Sequence, residues 1–478
     1  MAHNKKITNI KWRQIIVSYI AVYILFAALT ILPNLDKFSW VNFAVQLASL
    51  AILLFALALY IYFADVAVME SPRKTWAMFT TMIVAYALIQ LSSYIPSWGY
   101  VINLVPFALC ALILSLIVSS KCGFFANFII IMLCFMQDFN WQTNSTSETF
   151  FYLLFSGVIE AVFVSYVLGK HYRRFRYLLV GVALGIVSVM CATISYLMFQ
   201  DIENWNWVDY GLKAVCSFGS GIIGVMLMFV FVPLFERIFN VSSVFRFSEI
   251  ATSDSNLMRK LFEKAPGTYN HCLTVATYAE ACAAAIGQSA VMARAAAYYH
   301  DIGKIKNPSY FVENQFNGVN PHDSMTPEAS VNMIKYHTLN GLQIAKEYGL
   351  PKEVQMAIVE HHGTMPLKYF YLKAQKYTDG ELSYDGYCYD GPKPSNKISA
   401  ILMICDAAEA ALRANGDKSN AEKIVNEIVA ERLAFEQFSD CDISLKELDI
   451  IKGTIVNTFS GIRHNRISYP DVRLQGDK

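Results

Sequence analysis

Residues 177–199 read YLLVGVALGIVSVMCATISYLMF, an uninterrupted run without a single charge. A helix needs roughly 20 apolar residues to cross a hydrocarbon core, so this segment is long enough to span a bilayer. Seven further runs of this kind fall at 14–32, 41–64, 76–95, 100–120, 123–137, 149–169 and 211–235, the one at 123–137 being short. They predict a bundle of about eight transmembrane helices. Composition agrees: 55% of the 478 residues are hydrophobic and 16% are charged, against about 25% charged in an ordinary soluble domain. Thirty-nine basic residues nearly cancel 38 acidic ones, which excludes a disordered chain and a binder of nucleic-acid polymers driven by bulk charge. The ten cysteines form no CxxC pair and read as reduced packing thiols.

Short cytoplasmic loops are enriched in Lys and Arg. Lys5, Lys6, Lys11 and Arg13 precede the first run; Arg73 and Lys74 follow the second, Lys121 the fourth, Lys170, Arg173, Arg174 and Arg176 the sixth, and Arg237 the last. The alternate loops carry Asp36 with Lys37, the uncharged stretch around Pro96, Asp138 with Glu148, and Asp201, Glu203 and Asp209. Both termini are therefore expected in the cytoplasm, 1–13 forming a cytoplasmic N-terminus and 14–235 the membrane bundle of a multi-pass protein whose partner is the lipid bilayer. The Asn144-Ser145-Thr146 sequon is assigned no function. No charged residue sits at the centre of a confident span except Glu160, which reads as a helix-interface carboxyl rather than part of a transport path.

From residue 236 the composition becomes that of a soluble protein. An amphipathic helical connector is expected over 236–265, stopped by Ala265-Pro266-Gly267. Helical segments recur at 270–286, 289–302, 326–348, 351–362, 395–415, 418–436 and 444–460, so 266–478 is expected to be all-α. The Gly-, Tyr-, Asp- and Pro-rich stretch 378–394 reads as a loop bordering a site.

Six of the nine histidines, His271, His300, His322, His337, His361 and His362, lie between residues 271 and 362. Asp301 follows His300 directly, and Asp406 stands inside the apolar run Ile401–Ala408. A buried unpaired carboxylate is costly and calls for a cation. Imidazole suits divalent transition metals, whereas oxygen-only sites suit Ca and Mg. Five histidines and two aspartates exceed one four-coordinate site and fit two metals sharing a carboxylate. Metal pairs roughly 3.5–4 Å apart clamp phosphoryl groups and activate water as hydroxide, which implies phosphoester hydrolysis. Lys304, just beyond Gly303, is placed to contact a phosphate oxygen.

The series His271, His300-Asp301-Ile302-Gly303-Lys304, His337, Glu360-His361-His362-Gly363-Thr364 and Asp406 resembles the metal signature of HD-domain phosphohydrolases. More narrowly it resembles the seven-transmembrane-receptor HD hydrolases, a family that includes a membrane-bound cyclic di-AMP phosphodiesterase of the bacterial cytoplasmic membrane. Gly267–His271, Ala297–Asp301, Glu313-Asn314-Gln315, Asn320–Asp323 and Gly391–Pro394 extend the match. The resemblance implies one metal on His271, His300 and Asp406, another on His337, His361 and His362, a bridging Asp301, Mn or Fe as the ions, and pApA as product. It implies catalytic roles for Asp301 and Lys304. Lys304, Lys393, Arg413 and Tyr310 are the candidate substrate contacts, with Phe311, Tyr369, Phe370 and Tyr371 as aromatic alternatives that equally suit core packing. His322 matches a family motif without being a metal ligand there, and Arg294 and Arg413 read as salt-bridge partners. Gly363-Thr364 lacks the GYP element of enzymes that cleave cyclic di-GMP, which favours the adenine dinucleotide by resemblance. Family members carry a large extracellular domain after the first span, whereas only Pro33 to Trp40 intervenes here. An HD phosphohydrolase for another nucleotide, a nucleotide-binding receptor without hydrolysis, and assembly into a homo-oligomer stay open at this level.

Overall fold

The computed structural model describes residues 12–93, 100–141, 147–168, 174–200, 205–315, 318–377, 382–415 and 418–462. Lys5, Lys6, Lys11, Pro96, the 144–146 sequon, Lys170, Arg173, Asp201 and Glu203 lie outside the described residues, as do residues 378–381 of the expected site loop. The described residues are helical apart from turns, loops and one isolated bridge, Pro366 to Cys388. Two compact units divide between Arg246 and Phe247.

The first unit contains α1 Trp12–Ile31, α2 Trp40–Ala64, α3 Pro72–Ser93, α4 Val101–Leu104, α5 Leu109–Ile117, α6 Ser120–Trp141, α7 Ser147–Val167, α8 Arg174–Phe199 and α9 Trp207–Phe239. Seven of these are long and apolar enough to cross a membrane. The expected span at 100–120 is different: it is broken into α4 and α5 because Val105, which precedes Pro106, is extended at φ −70°, ψ 126°. The broken pair still runs from one end of the bundle to the other. At its start, Asn103 donates to Ser217 Oγ (3.3 Å) and lines a polar cavity of about 370 Å³ with Glu148, Asp209 and Lys213. Just past its end, Ser119 donates to Asp65 at the foot of α2. Nearly every residue of α5 is buried, as expected of a helix apolar on all sides. Asn127 of α6 repairs the break: its Oδ1 accepts from the Ala111 N–H (3.3 Å), and its Nδ2 donates to the Gly157 carbonyl (3.2 Å). In lipid such freed backbone groups must find partners inside the protein. Glu160 is buried and accepts from Ser156 at 2.5 Å, an interface carboxyl held within α7.

α8 and α9 touch through glycines. A Cβ on Gly221 would lie 2.3 Å from the Gly185 nitrogen and 2.5 Å from the Gly181 oxygen. Small residues allow this approach where the hydrophobic effect cannot drive helices together.

The second unit continues from α10 Val244–Ile250 through α11 Asn256–Lys264, α12 Pro266–Ala285, α13 Ala290–Tyr299, α14 Pro327–Glu347, α15 Lys352–Glu360, α16 Lys368–Gln375, α17 Lys397–Asn415, α18 Ala421–Ala434 and α19 Leu445–Ile462. The expected connector is thus several helical pieces rather than one helix, with Pro266 at the first position of α12, where its missing N–H costs nothing. Buried alanines (276, 279, 283, 293, 296, 297) let α12 and α13 pack closely with Ile401–Cys405 and Ala408 of α17. A second cluster joins α11, the other face of α13, α14 and α15 through Leu261, Tyr299, Ile344 and Ile358. Tyr299 Oη bonds Ser255 Oγ (2.9 Å) and the Ile250 carbonyl (2.8 Å), fixing the end of α13 where His300 begins.

Replacing Gly221 by Leu should loosen the α8–α9 crossing, at a cost of about 1–3 kcal/mol for overpacking, read as a lower thermal midpoint of the detergent-purified chain. In the second unit, Lys397 Nζ donates to Glu447 (2.6 Å) and the Ser444 N–H bonds its other oxygen (2.8 Å), holding the Glu447 carboxyl down from 4.5 to about 2. A lowered folded-state pKa stabilises above the unfolded value and is lost as pH falls toward the folded one. Glu447→Gln should therefore melt lower than the parent at pH 7, and the gap should shrink steadily below about pH 4.5 in melts taken down to pH 3.

Candidate metal centre

Five helices deliver the site. His271 lies on the second turn of α12, His337 in the middle of α14 and Asp406 in the middle of α17, while His300-Asp301 and His361-His362 follow the ends of α13 and α15. Where a helix ends or a carbonyl is left accessible, a histidine can bond back to it. His300 Nδ1 reaches the Ala297 carbonyl (2.7 Å), His337 Nδ1 that of Ile334 (2.6 Å) and His361 Nδ1 that of Ile358 (2.8 Å). A carbonyl only accepts, so each Nδ1 carries a proton, and in the neutral ring it is Nε2 that presents the lone pair. The fourth ring is set by a carboxylate: His271 Nδ1 lies 2.5 Å from Glu409 Oε2, one turn beyond Asp406.

These lone pairs converge on Asp301. Its Oδ2 lies 3.6 Å from His271 Nε2 and 3.4 Å from His300 Nε2; its Oδ1 lies 3.3 Å from His337 Nε2 and 3.7 Å from His361 Nε2. Asp406 Oδ1 is 3.0 Å from His271 Nε2 and its Oδ2 is 3.7 Å from His362 Nδ1. Two groups could each hold a metal ion: His271, His300 and Asp406, and His337, His361 and His362 with Asp301. The donors fit such ions. His300 Nε2 and Asp301 Oδ1 are buried without a hydrogen-bond partner, and the Nε2 atoms of His337 and His361 face each other at 3.4 Å. Two lone pairs so placed repel unless a cation lies between them.

Electrostatics divide the cluster. Burial would raise the Asp301 carboxyl, but Lys304 and His300 outweigh it and hold it well below the carboxylate range. Asp406 is likewise held low against burial by His271 and His300. Burial pushes His271 down, yet its bonds to Asp406 and Glu409 prevail and raise it to about 10. Burial drives His337 to about 4, with Asp301 opposing, and takes His362 well below its ordinary value. The His337 and His362 rings are thus neutral and ready to ligate at pH 7, whereas burial is outweighed at His300 by the Asp301 carboxylate, which raises it well above its ordinary value, so a metal on His271 or His300 must displace a proton.

Lys304 Nζ is bound to Asp301 Oδ2 (2.7 Å) and Glu313 Oε1 (2.8 Å), and Glu313 also accepts from Thr268 Oγ1 (3.0 Å). Both contacts need glycines. A Cβ on Gly267 would lie 1.8 Å from the Glu313 carbonyl oxygen, and one on Gly303 1.9 Å from that of His337. The other sequence candidates have partners of their own or stand exposed. Arg413 Nε stands 3.8 Å from Glu409 Oε1, Lys393 Nζ 3.4 Å from Ser439 Oγ, and Arg294 pairs with Glu280. Tyr310 packs edge-on to His322, whose Nε2 bonds the Tyr310 carbonyl (2.9 Å). Phe311 meets the edge of His337, Phe370 and Tyr371 pack internally against His322 and Tyr387, and Tyr369 is exposed. The sequence reading missed Glu409 and Tyr389. Tyr389 stacks on His362 at 4.2 Å and 20°. Glu409 was detectable as a second acid one turn after Asp406 on an apolar helix; Tyr389 sits in a loop whose path no periodicity reveals.

The centre is sealed at His300 and Asp301, which are 0% and 1% exposed, and opens at the side chains of His362 and Asp406, 22% and 14% exposed. That is the side from which a substrate can approach.

Residues 40–243 match the family described as 7TM receptor with intracellular HD hydrolase, and residues 268–411 match the HD domain. The first range covers α2 to α9, which makes seven crossings when broken α4–α5 counts as one. The chain belongs to the family of membrane receptors joined to an HD hydrolase domain. Its relatives include the cyclic-di-AMP phosphodiesterase PgpH of Listeria monocytogenes serotype 1/2a (strain 10403S), 36% identical over 372 residues, which is 77% of this chain and 50% of that protein. PgpH of Bacillus subtilis (strain 168) is 36% identical over 373 residues, 77% of this chain and 51% of that protein. The chain thus spans about half the length of these relatives. A crystal structure of the L. monocytogenes PgpH HD domain in complex with cyclic-di-AMP is 42% identical, covering 44% of this chain and 99% of that one at a TM-score of 0.43.

Carboxylates that orient a ligating histidine are worth about 10–100-fold in metal affinity. Glu409→Gln should weaken Mn binding by about that factor in chelator competition, with the thermal midpoint of the metal-free protein changed far less than in Gly303→Ala.

Proposed function

We propose that this chain is a membrane-bound, metal-dependent phosphodiesterase that opens cyclic di-AMP to the linear dinucleotide pApA. The observation that carries the reaction class is the division of Asp301 between two sets of ring nitrogens, Oδ2 toward His271 and His300, Oδ1 toward His337 and His361. The substrate is supported by the activity in the names of the two PgpH relatives. His271, His300 and Asp406 would hold one divalent transition ion, Mn or Fe, and His337, His361 and His362 the other, with Asp301 between them. Such a pair supplies Lewis acidity toward a phosphodiester and lowers the pKa of water.

The protein does the rest. Nδ1 bonds to carbonyls fix the orientation of three imidazoles, so none of these rings has to turn to aim its Nε2 at the cluster. Lys304 stays charged between Asp301 and Glu313 and adds fixed positive potential where phosphate charge builds up in the transition state. Access from the His362 and Asp406 side brings the scissile phosphate to the cluster while His300 and Asp301 remain dry, and the Tyr389 ring walls that opening beside His362. Arg13, Arg73, Lys74, Lys121, Arg176 and Arg237 fall at helix ends that the eight crossings bring to one face of the bundle. This supports a topology with the HD unit and both termini facing the cytoplasm.

The test is hydrolysis of cyclic di-AMP by the detergent-purified chain with added Mn, products being resolved chromatographically. Stoichiometric pApA from the parent and none from Asp301→Ala is the expected outcome. Binding without cleavage across Mn, Fe, Co and Zn would replace the enzyme by a nucleotide receptor.

A further inference from the structure

A cation that belongs to none of the roles above lies within electrostatic reach of Asp406. Arg432, on the last turn of α18, is 14% exposed in its side chain. Its Nη1 is paired with the neighbouring Glu431, but its Nε is buried and has no hydrogen-bond partner. A guanidinium offers five donors in a rigid fork, and leaving part of that fork unsatisfied away from water is costly unless a ligand completes it. Burial weakens the charge of Arg432, and the carboxylate of Asp406 is near enough to support it. Asp406 is one of the two residues through which the metal centre opens to solvent.

The segment that follows Arg432 is fastened to that opening. Gln437 Nε2 donates to Thr364 Oγ1 (2.9 Å), Gln437 Oε1 accepts from the Thr364 N–H (2.9 Å), and the Gln437 N–H returns to the Arg432 carbonyl (2.9 Å). Thr364 comes two residues after His362. Gly363, at φ +52°, leaves no room for a side chain, since a Cβ there would lie 2.2 Å from Gln437 Oε1. The end of α18 is therefore held in fixed register with the ligand pair His361-His362. Three other cations of this unit are engaged by carboxylates: Lys304 lies between two of them, Lys335 is paired with Asp390 (2.7 Å) and Lys368 with Glu431.

Resting on the phosphodiesterase reading, we propose that Arg432 grips the phosphate that is not being cleaved, so that it selects substrates with a second phosphodiester. A cyclic dinucleotide carries two phosphates on opposite sides of its ring. When one sits at the metal cluster, the other needs a separate anchor, and a guanidinium with an unpartnered donor can receive two phosphate oxygens side by side. A mononucleotide or a simple aryl diester has nothing to offer that anchor.

The test compares cyclic di-AMP with bis(p-nitrophenyl) phosphate, which has one phosphodiester, in the detergent-purified full chain with Mn. Arg432→Gln should raise KM for cyclic di-AMP by about tenfold to a hundredfold, the range of a lost charged hydrogen bond. Its kcat on cyclic di-AMP should change far less, and its kcat/KM on the aryl diester should match the parent. Arg432→Lys should recover part of the loss, because it restores charge without the fork. Parallel losses on both esters, or no loss on cyclic di-AMP, would overturn the proposal while leaving the phosphodiesterase reading intact. A parent that cleaves the aryl diester but neither binds nor cleaves cyclic di-AMP would overturn the substrate reading and this assignment together.

Discussion

One buried carboxylate with a different set of neighbours on each oxygen organises the soluble half of this protein. Asp301 can hold that position only because the chain leaves the helix after Tyr299 and turns through Gly303 directly against the backbone of α14. The alanine-rich faces of α12 and α13 bring His271 close, and α17 contributes Asp406 from the opposite wall. Isolated, such a carboxylate would be expensive to bury. Its charge is tolerated because Lys304 contacts it directly and Glu313 in turn holds Lys304. The fold and the electrostatics of the centre are thus a single problem solved by the same contacts.

The membrane half faces a related constraint with different means. There the penalty falls on unpaired backbone, and the broken helix α4–α5 satisfies it with the side chain of Asn127 and by complete enclosure among its neighbours. The glycines of α8 and α9 allow backbone to touch backbone, replacing the hydrophobic drive that lipid removes.

Much of this was legible in the sequence, for reasons that differ by region. Charge-free runs identify spans because lipid tolerates little else, and in the soluble half the apolar periodicity placed α14, α17 and α18 within a few residues of their bounds. The seven residues singled out for metals are brought together because histidine clusters near aspartate are rare enough to stand out. Five features escaped. The kink at Val105 is hidden inside an apolar run, where Pro106 was the only sign. Helix α16 was read as a set of aromatic candidates because KYFYLKAQ has no clean apolar stripe. Arg432 and Glu409 depend on which face of a helix meets the centre, and Tyr389 on the course of a loop; spacing alone determines neither.

The bond between His271 and Glu409 joins residues 138 positions apart. A ribosome adds roughly 5–20 residues per second, so on the order of ten seconds separates the emergence of the two. During that interval His271 has neither Asp406 nor Glu409 beside it, and half of the donor set is without its acidic wall. An ion held by His271, His300 and Asp406 would therefore enter only in the last stage of biosynthesis, after α17 has left the ribosome.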